Sequence, residues 1–568
     1  MPETTHLTSF ASLLVSTLLR LALSLSIAGC ASVRAPAPSS DTGAGISAAD
    51  LRRRLYLIAD DSMMGRQSGS LGNYKTAEYV AGEFRRFGLE AAGENGSYFQ
   101  TVPFWTAAVD PRSRLDVGDK TLLLGAEFLP ATLAAPPGRL DGTATIYGGP
   151  ANDSARWISA AQAAGKVVLL DLPTGASLRG LVIESARWRQ SPALALVALD
   201  VVGPDQVARL RDGRPVADTA RDPNTTPMFW LTRAAARKIL GGDPSTLTPG
   251  ADGIALRGHF DIARTPVPYP ARNVVAILRG SDAMLRGQYV AITAHNDHVG
   301  YDHSPVDHDS IRAFNRVIRP MGADSPRRQP SADEWKAIRV ILDSLRRANT
   351  PRLDSIRNGA DDDGSGTVAI LEIAQAMSRA NVHPRRSILF VNHTGEEDGL
   401  IGSGWYTDHA TVPMDSIAGE IDLDMIGRGL PSDFPVDGVG RGSPTYLEVA
   451  GAKRLSREFG DSLEAANARE PLPFVLDYRY DAPGHPLQQY CRADHYNYAR
   501  YGIPSVSFSR GEHLDYHQVT DEAQYIDYPD LARVTHMVYA GALVIANMSH
   551  RPWLDGPKPA DPHAPCRQ

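Results

Sequence analysis

Apolar residues along this chain change their spacing several times, and each change predicts a different element. Leu51, Leu55 and Ile58 recur at helical spacing behind Ser47, which predicts a capped helix over 47–60. A second helix is predicted over 73–87, stopping at Gly88, a residue type that readily takes the left-handed backbone of a helix end. Residues 110–265 read differently: short β-rich runs, among them KVVLLDL at 166–172 and the stretch 193–202, are separated by glycine and proline. Strand patterns resume with NVVAIL at 273–278 and YVAIT at 289–293. From there to Met548 strands alternate with helices, with runs at 367–380, 387–392, 417–425 and 504–508. That alternation predicts an α/β domain with a mixed central sheet flanked by helices. Its two parts are 47–109 and 267–550, and 110–266 is a β-rich module inserted between them. A second interruption lies at 301–357. It carries a helix signalled by Ser331 and Glu334 as a capping box, with an apolar face through Trp335, Ile338, Leu342 and Leu345.

Length and composition agree with this division. A single core stops growing at roughly 250–300 residues, so 568 residues imply at least two folded units. A hydrophobic fraction of 43% and a charged fraction of 22% are those of a globular protein, and a net charge of -7 offers no footprint for nucleic acid. The start differs from the body. LLVSTLLRLALSLSIAGC is apolar except for Arg20 and ends in small residues before Cys30, which resembles a lipoprotein-type signal over 1–30. An uncleaved membrane anchor is the other reading, and either one places the body outside the cytoplasm, periplasmic or at the cell surface. Residues 31–46 then form a flexible linker, and 551–568 a proline-rich tail. Cys491 and Cys566 are the remaining cysteines, and sequence alone leaves open whether they pair.

Five stretches place Asp, Glu or His just after an apolar strand or at a helix start: AHNDHVG (294–300), NGADDDGSG (358–366), TGEEDG (394–399), IDLDMIG (421–427) and DYHQVTD (515–521). Ligands of α/β sheets bind at strand ends, so these stretches can converge on one crevice. Singly each has a plain structural use; Asp361–Asp363, for instance, can cap the following helix. Together, in this order and spelling, they resemble the zinc peptidases of family M28, a group of co-catalytic aminopeptidases and glutamate carboxypeptidases. MMGRQSGSLGNYKTAEYVAGEFRRFGL at 63–89 and GIPSV at 502–506 extend the resemblance over about 47–108 and 268–545.

The resemblance implies two Zn²⁺ ions, with Asp362 shared between them, His295 and Asp424 completing one set, and Glu397 and His517 the other. Mixed imidazole and carboxylate sets suit Zn²⁺, and paired metals about 3.5–4 Å apart need a shared anion. Glu396 would then act as general base on the attacking water. Asp297 resembles the family's aspartate that orients the first histidine, and Tyr516 a tyrosine that in some relatives donates to the oxyanion. His298, His303, His393, Asp494 and His495 read as structural or pocket-lining. The 110–266 module resembles a protease-associated (PA) domain, and the implied partner of the whole is a peptide substrate, with a membrane met through the N-terminal lipid or anchor. Neither Ser365 nor Ser403 sits in G-x-S-x-G, against a serine hydrolase. Aminopeptidase action is favoured. The carboxypeptidase alternative draws on the basic 301–357 segment, Arg492 and Arg510; a ligand-poor receptor and a single-zinc glutaminyl-cyclase-like enzyme stand further behind.

Overall fold

A computed structural model describes residues 45–568 except 132–134, 174–184, 218–222, 327 and 436–439. The signal-like segment 1–30 and nearly all of the linker therefore lie outside the described residues. Among the described residues no helix is long and apolar enough to cross a membrane.

The central sheet has nine strands. Its middle is four parallel strands in the spatial order Ser387–His393, Tyr289–His295, Ile417–Leu423 and Ser505–Ser509. Ala271–Leu278 runs antiparallel beside the first, and Tyr446–Ala450 antiparallel beside the last. The middle strands are buried along nearly their whole length, which explains their unbroken apolar spelling. Helices Ala48–Ile58, Leu71–Arg86, Gly364–Arg379 and Tyr528–Asn547 share one core with one face of the sheet, through Leu51, Phe84, Ile370 and Val538 against Ile292 and Phe390. Ala291, Leu389 and Val391 face the other way, against Tyr406 and Tyr498 of helices Ile401–Asp408 and His495–Ala499. The result is an α/β/α sandwich with a mixed sheet.

Residues between Phe104 and Pro266 build two further sheets, of eight and three strands. The larger has a parallel middle, Gly138–Pro150, Val167–Asp171, Leu194–Val197 and Met228–Leu231, with a separate apolar core on each side. The run expected over 193–202 leaves the sheet at Val197, because Asp200 turns to accept the backbone N–H of Arg233 at the start of helix Arg233–Leu240. The 301–357 segment is closed at its base by the antiparallel strands Tyr301–Asp307 and Leu353–Ile356. Between them helices His308–Ile318 and Ala332–Ala348 pack on each other, and the second begins with the Ser331/Glu334 capping box. Only Ile338 of its expected apolar face is buried; Trp335 stays 43% exposed beside the Phe314 ring. Cys491 and Cys566 form a disulfide, which ties the chain's end to the 488–493 loop.

Candidate metal centre

The four parallel strands end side by side, and beyond their carboxyl ends the chain delivers polar groups to one crevice. His295 closes its strand, and Asp297 and His298 follow within three residues. The turn after His393 brings Glu396 and Glu397, the strand ending at Leu423 is followed by Asp424, and the loop after Ser509 brings Tyr516 and His517. Asp362 arrives from the opposite side, just before helix Gly364–Arg379. Asp363 is the cap of that helix: its carboxylate accepts the N–H groups of Gly366 at 2.9 Å and His295 at 3.0 Å. The helix start lies so close to the sheet that a Cβ on Gly366 would meet Leu423 O at 2.1 Å, which accounts for glycine there.

Asp362 stands at the middle of the cluster. Its Oδ1 is 3.2 Å from His295 Nε2, and its Oδ2 is 2.9 Å from His517 Nε2. His295 Nε2 is also 3.8 Å from Asp424 Oδ1, and Glu397 Oε2 is 2.9 Å from His517 Nε2. The five residues expected as ligands therefore meet, with Asp362 between two sets. His298, expected to be structural or pocket-lining, joins them: its Nδ1 lies 2.6 Å from Glu397 Oε1 and 3.6 Å from Asp362 Oδ2. Its position three residues past His295 was visible in HNDH, but nothing in the spelling separated it from an ordinary buried histidine.

Several of these atoms, although fully buried, make no well-aligned hydrogen bond and meet only one another: His295 Nε2, His298 Nδ1, Asp362 Oδ2, Glu397 Oε1 and Asp424 Oδ1. Buried polar atoms are rarely left so. Converging lone pairs of imidazole and carboxylate suit divalent zinc, and His298, Asp362, Glu397 and His517 each offer an atom within 4.8 Å of the others. The electrostatics agree. Burial alone would depress the His517 imidazole, but the Glu397 and Asp362 carboxylates reverse this and raise it to about 10. Burial, joined by the Asp424 and Glu397 carboxylates against the pull of His295, drives the Glu396 carboxyl well above its ordinary range.

Glu396 Oε2 stays 3.9 Å from His295 Nε2, and the side chain lines the cavity with Asp362, Asp424 and Tyr516. Asp297 lies beside His295. The nearest partner of His295 Nδ1 is the Asp297 main-chain carbonyl at 3.2 Å; the carboxylate, 3.6 Å away, accepts from Ser68 Oγ at 3.0 Å and from the backbone N–H of Glu396 at 3.3 Å. Asp297 thus holds the Glu396 backbone as well as the histidine. The Tyr516 hydroxyl accepts from Arg492 at 3.2 Å, and burial with the nearby Asp362 carboxylate keeps its proton on.

Two supports went unread in the sequence. Arg66 is fully buried and donates to the carbonyls of Ile58, Asn296, Asn358, Gly359 and Asp362, binding three loops into one frame. Asp521 accepts the N–H groups of Asp361 and Asp362 at 3.0 and 3.2 Å. Both act on main-chain atoms, which side-chain spelling does not reveal. Of the other polar residues singled out, His393 bonds the Tyr498 hydroxyl at 3.1 Å, and His495 packs edge-on against Tyr490. Burial pushes both imidazoles down to about 3, so they are neutral. Asp494 is buried, and burial with the Asp422 carboxylate raises its pKa well above the ordinary range. The His303 side chain lies outside the described residues.

An α/β sandwich with paired acid and imidazole sets at its strand ends defines a metallohydrolase-type centre. Residues 273–542, a little under half of the chain, match the model of peptidase family M28. Leupeptin-inactivating enzyme 1 of Streptomyces exfoliatus is 41% identical over 85 residues, 14% of this chain and 19% of that protein. Leucine aminopeptidase 1 of Penicillium rubens is 28% identical over 199 residues, 33% and 47% of the two chains. The chain thus matches less than half the length of these curated relatives. Among solved structures, an aminopeptidase from Aneurinibacillus sp. strain AM-1 superposes with a TM-score of 0.49 at 16% identity, over 90% of this chain and 96% of that one.

Proposed function

We propose that this chain is an exported, zinc-dependent exopeptidase that removes residues from the free amino end of peptides. The observation that carries the reading is the division of labour between two neighbours: Glu397 touches His298 and His517, while Glu396 leaves that set and faces the cavity beside Asp424. His295, Asp362 and Asp424 would hold one zinc ion, and Asp362, Glu397 and His517, with His298 beside them, the second. Bound there, zinc supplies Lewis acidity and lowers the pKa of a water to about 7. Glu396 takes the proton of the attacking water and passes it to the leaving amine. Tyr516, still protonated, donates to the carbonyl oxygen as negative charge gathers on it. Asp297 keeps Glu396 in place through its backbone N–H.

An amine is favoured over a carboxylate as the recognised terminus because Arg492, the cation lining the cavity, is already taken by Asp324 at 2.6 Å and by the Tyr516 hydroxyl. The name of the Penicillium relative agrees with this choice. Export is supported by the apolar run ending at Cys30 and by the disulfide, which persists in oxidising compartments. The 110–266 module, PA-like in spelling, is assigned to substrate access rather than chemistry. The test is a matched set of peptides with free, acetylated and C-terminally amidated ends, digested by the purified protein with and without chelator. Only chains with a free amine should shorten, from that end, and zinc should restore the chelated sample. Release of C-terminal residues, or equal cutting of acetylated peptides, overturns the reading.

A further inference from the structure

The cavity that holds the metal-centre carboxylates continues sideways across the sheet. Asp424 N bonds Phe508 O just beyond the parallel pairing of the 417–423 and 505–509 strands, and Ser509 lies opposite Glu448 on the antiparallel neighbour. Asp424, Ser509 and Glu448 therefore form a row over three adjacent chain segments, and all three line the same cavity. At about 4.8 Å per strand, the Glu448 backbone stands roughly 10 Å from that of Asp424. Between them the floor is small: Ser507, Ser509 and Ala450 all line it.

The far end is strongly polar, and its charges do not cancel. Glu448 and Glu512, 3% and 5% exposed, share one guanidinium, Arg441, at 3.1 and 3.0 Å. Glu512 is further held by Gln489. Arg492 lies 3.9 Å from Glu512 but belongs to Asp324 at 2.6 Å. Asp477, close by, is matched by Arg479 at 2.8 Å. Three carboxylates thus face two guanidiniums, which leaves one formal negative charge in a buried pocket. Glu448 is the least compensated: among the described residues, beyond its share of Arg441, its hydrogen-bond partner is the Tyr446 hydroxyl at 3.4 Å. Burial and the Glu512 carboxylate push it up to about 8, as expected of a carboxylate short of a cation.

We propose that this end of the cavity receives the side chain of the substrate's first residue and that Glu448 selects a cationic one, lysine or arginine. The inference rests on the aminopeptidase reading and adds the substrate class to it. The lysine stem would run over Ser507, Ser509 and Ala450, and its ammonium would supply the missing positive charge beside Glu448. An aliphatic side chain of equal length would reach the same carboxylate without bringing the charge that it lacks.

The test compares lysyl, arginyl, norleucyl and leucyl 4-nitroanilides on the zinc-loaded protein. Norleucine keeps the lysine stem and omits the ammonium. The lysyl and arginyl substrates should exceed the norleucyl one in kcat/KM by roughly 10–100-fold, the range of a charge-assisted hydrogen bond. In Glu448→Gln this ratio should fall toward one, with the lysyl loss concentrated in KM. A wild-type preference for norleucyl or leucyl substrate overturns the inference while leaving aminopeptidase action intact, and so does a ratio unchanged in Glu448→Gln. Failure to cleave any of the four overturns both readings. Should Glu448→Gln not fold, the wild-type ratio of lysyl to norleucyl cleavage decides alone.

Discussion

Glu396 and Glu397 share one turn yet fail differently when changed. The turn is set by Gly395, at φ +74°, and the Glu396 carbonyl accepts from Gly399 and Leu400 N–H at 2.9 Å each. This sends Glu397 toward His298 and His517 and Glu396 into the cavity. Glu396→Gln keeps shape but accepts no proton, so metal content should be unchanged while turnover falls by roughly 10²–10⁴ or more. Glu397→Ala removes one of the two carboxylates 2.9 Å from His517, so that side should lose metal and activity should come to depend on added zinc. Metal content and turnover measured on both purified variants check this. Loss of metal from Glu396→Gln with both ions kept by Glu397→Ala reverses the assignment. The residues that meet here were legible because chemistry fixes their types and order in the sequence. His298 and Arg66 were not: one is a histidine among histidines, and the other works through carbonyls contributed by several loops.

Among elements, the buried middle strands were readable because both faces are apolar, and the first two helices because caps and spacing agreed. Helix His308–Ile318 was not. Its sequence is rich in polar residues, and they are spent on neighbours rather than on solvent: Asn315 donates to Leu514 O at 3.0 Å, and Arg312 pairs with Asp515 at 3.3 Å. The following turn adds a bond from Ala323 N–H to Tyr516 O at 3.0 Å, and Asp324 holds Arg492. The 301–357 segment therefore braces the loop that carries Tyr516 and His517, and helix Pro204–Asp212 of the inserted module lies against its first strand. A wall so placed should limit the length of peptide admitted. Replacing 308–348 by a short linker should raise cleavage of a decapeptide relative to a dipeptide several-fold with zinc still bound. An unchanged ratio sinks the reading of this segment as a wall that limits peptide length.

At the scale of the whole molecule, the sheet, the helices packed on it and the long loops all converge on a centre that holds more buried carboxylate than buried cation. Among the described residues, Asp362, Glu396, Glu397 and Asp424 lie within reach of three imidazoles, His295, His298 and His517. Without metal, protons must do part of the neutralising. The His517 imidazole titrates near 10 in the folded metal-free chain and near 6.5 when unfolded, because Glu397 and Asp362 outweigh its burial. A raised value stabilises the fold fully below pH about 6.5, and that contribution is lost as pH rises through about 10. Zinc bound at His517 would replace the proton and remove this dependence, since its ligand must be deprotonated. Chelation should therefore lower Tm by roughly 5–15 °C at neutral pH, recoverable with zinc. The gap between the zinc-loaded and chelated protein should widen from pH 6.5 to 9, because folded His517 of the chelated form keeps its proton there while the unfolded chain gives its own up, so that form alone loses stability. Calorimetry of both forms across that window decides it. A gap that stays constant or narrows shows that the imidazole beside Glu397 is not where metal and proton compete.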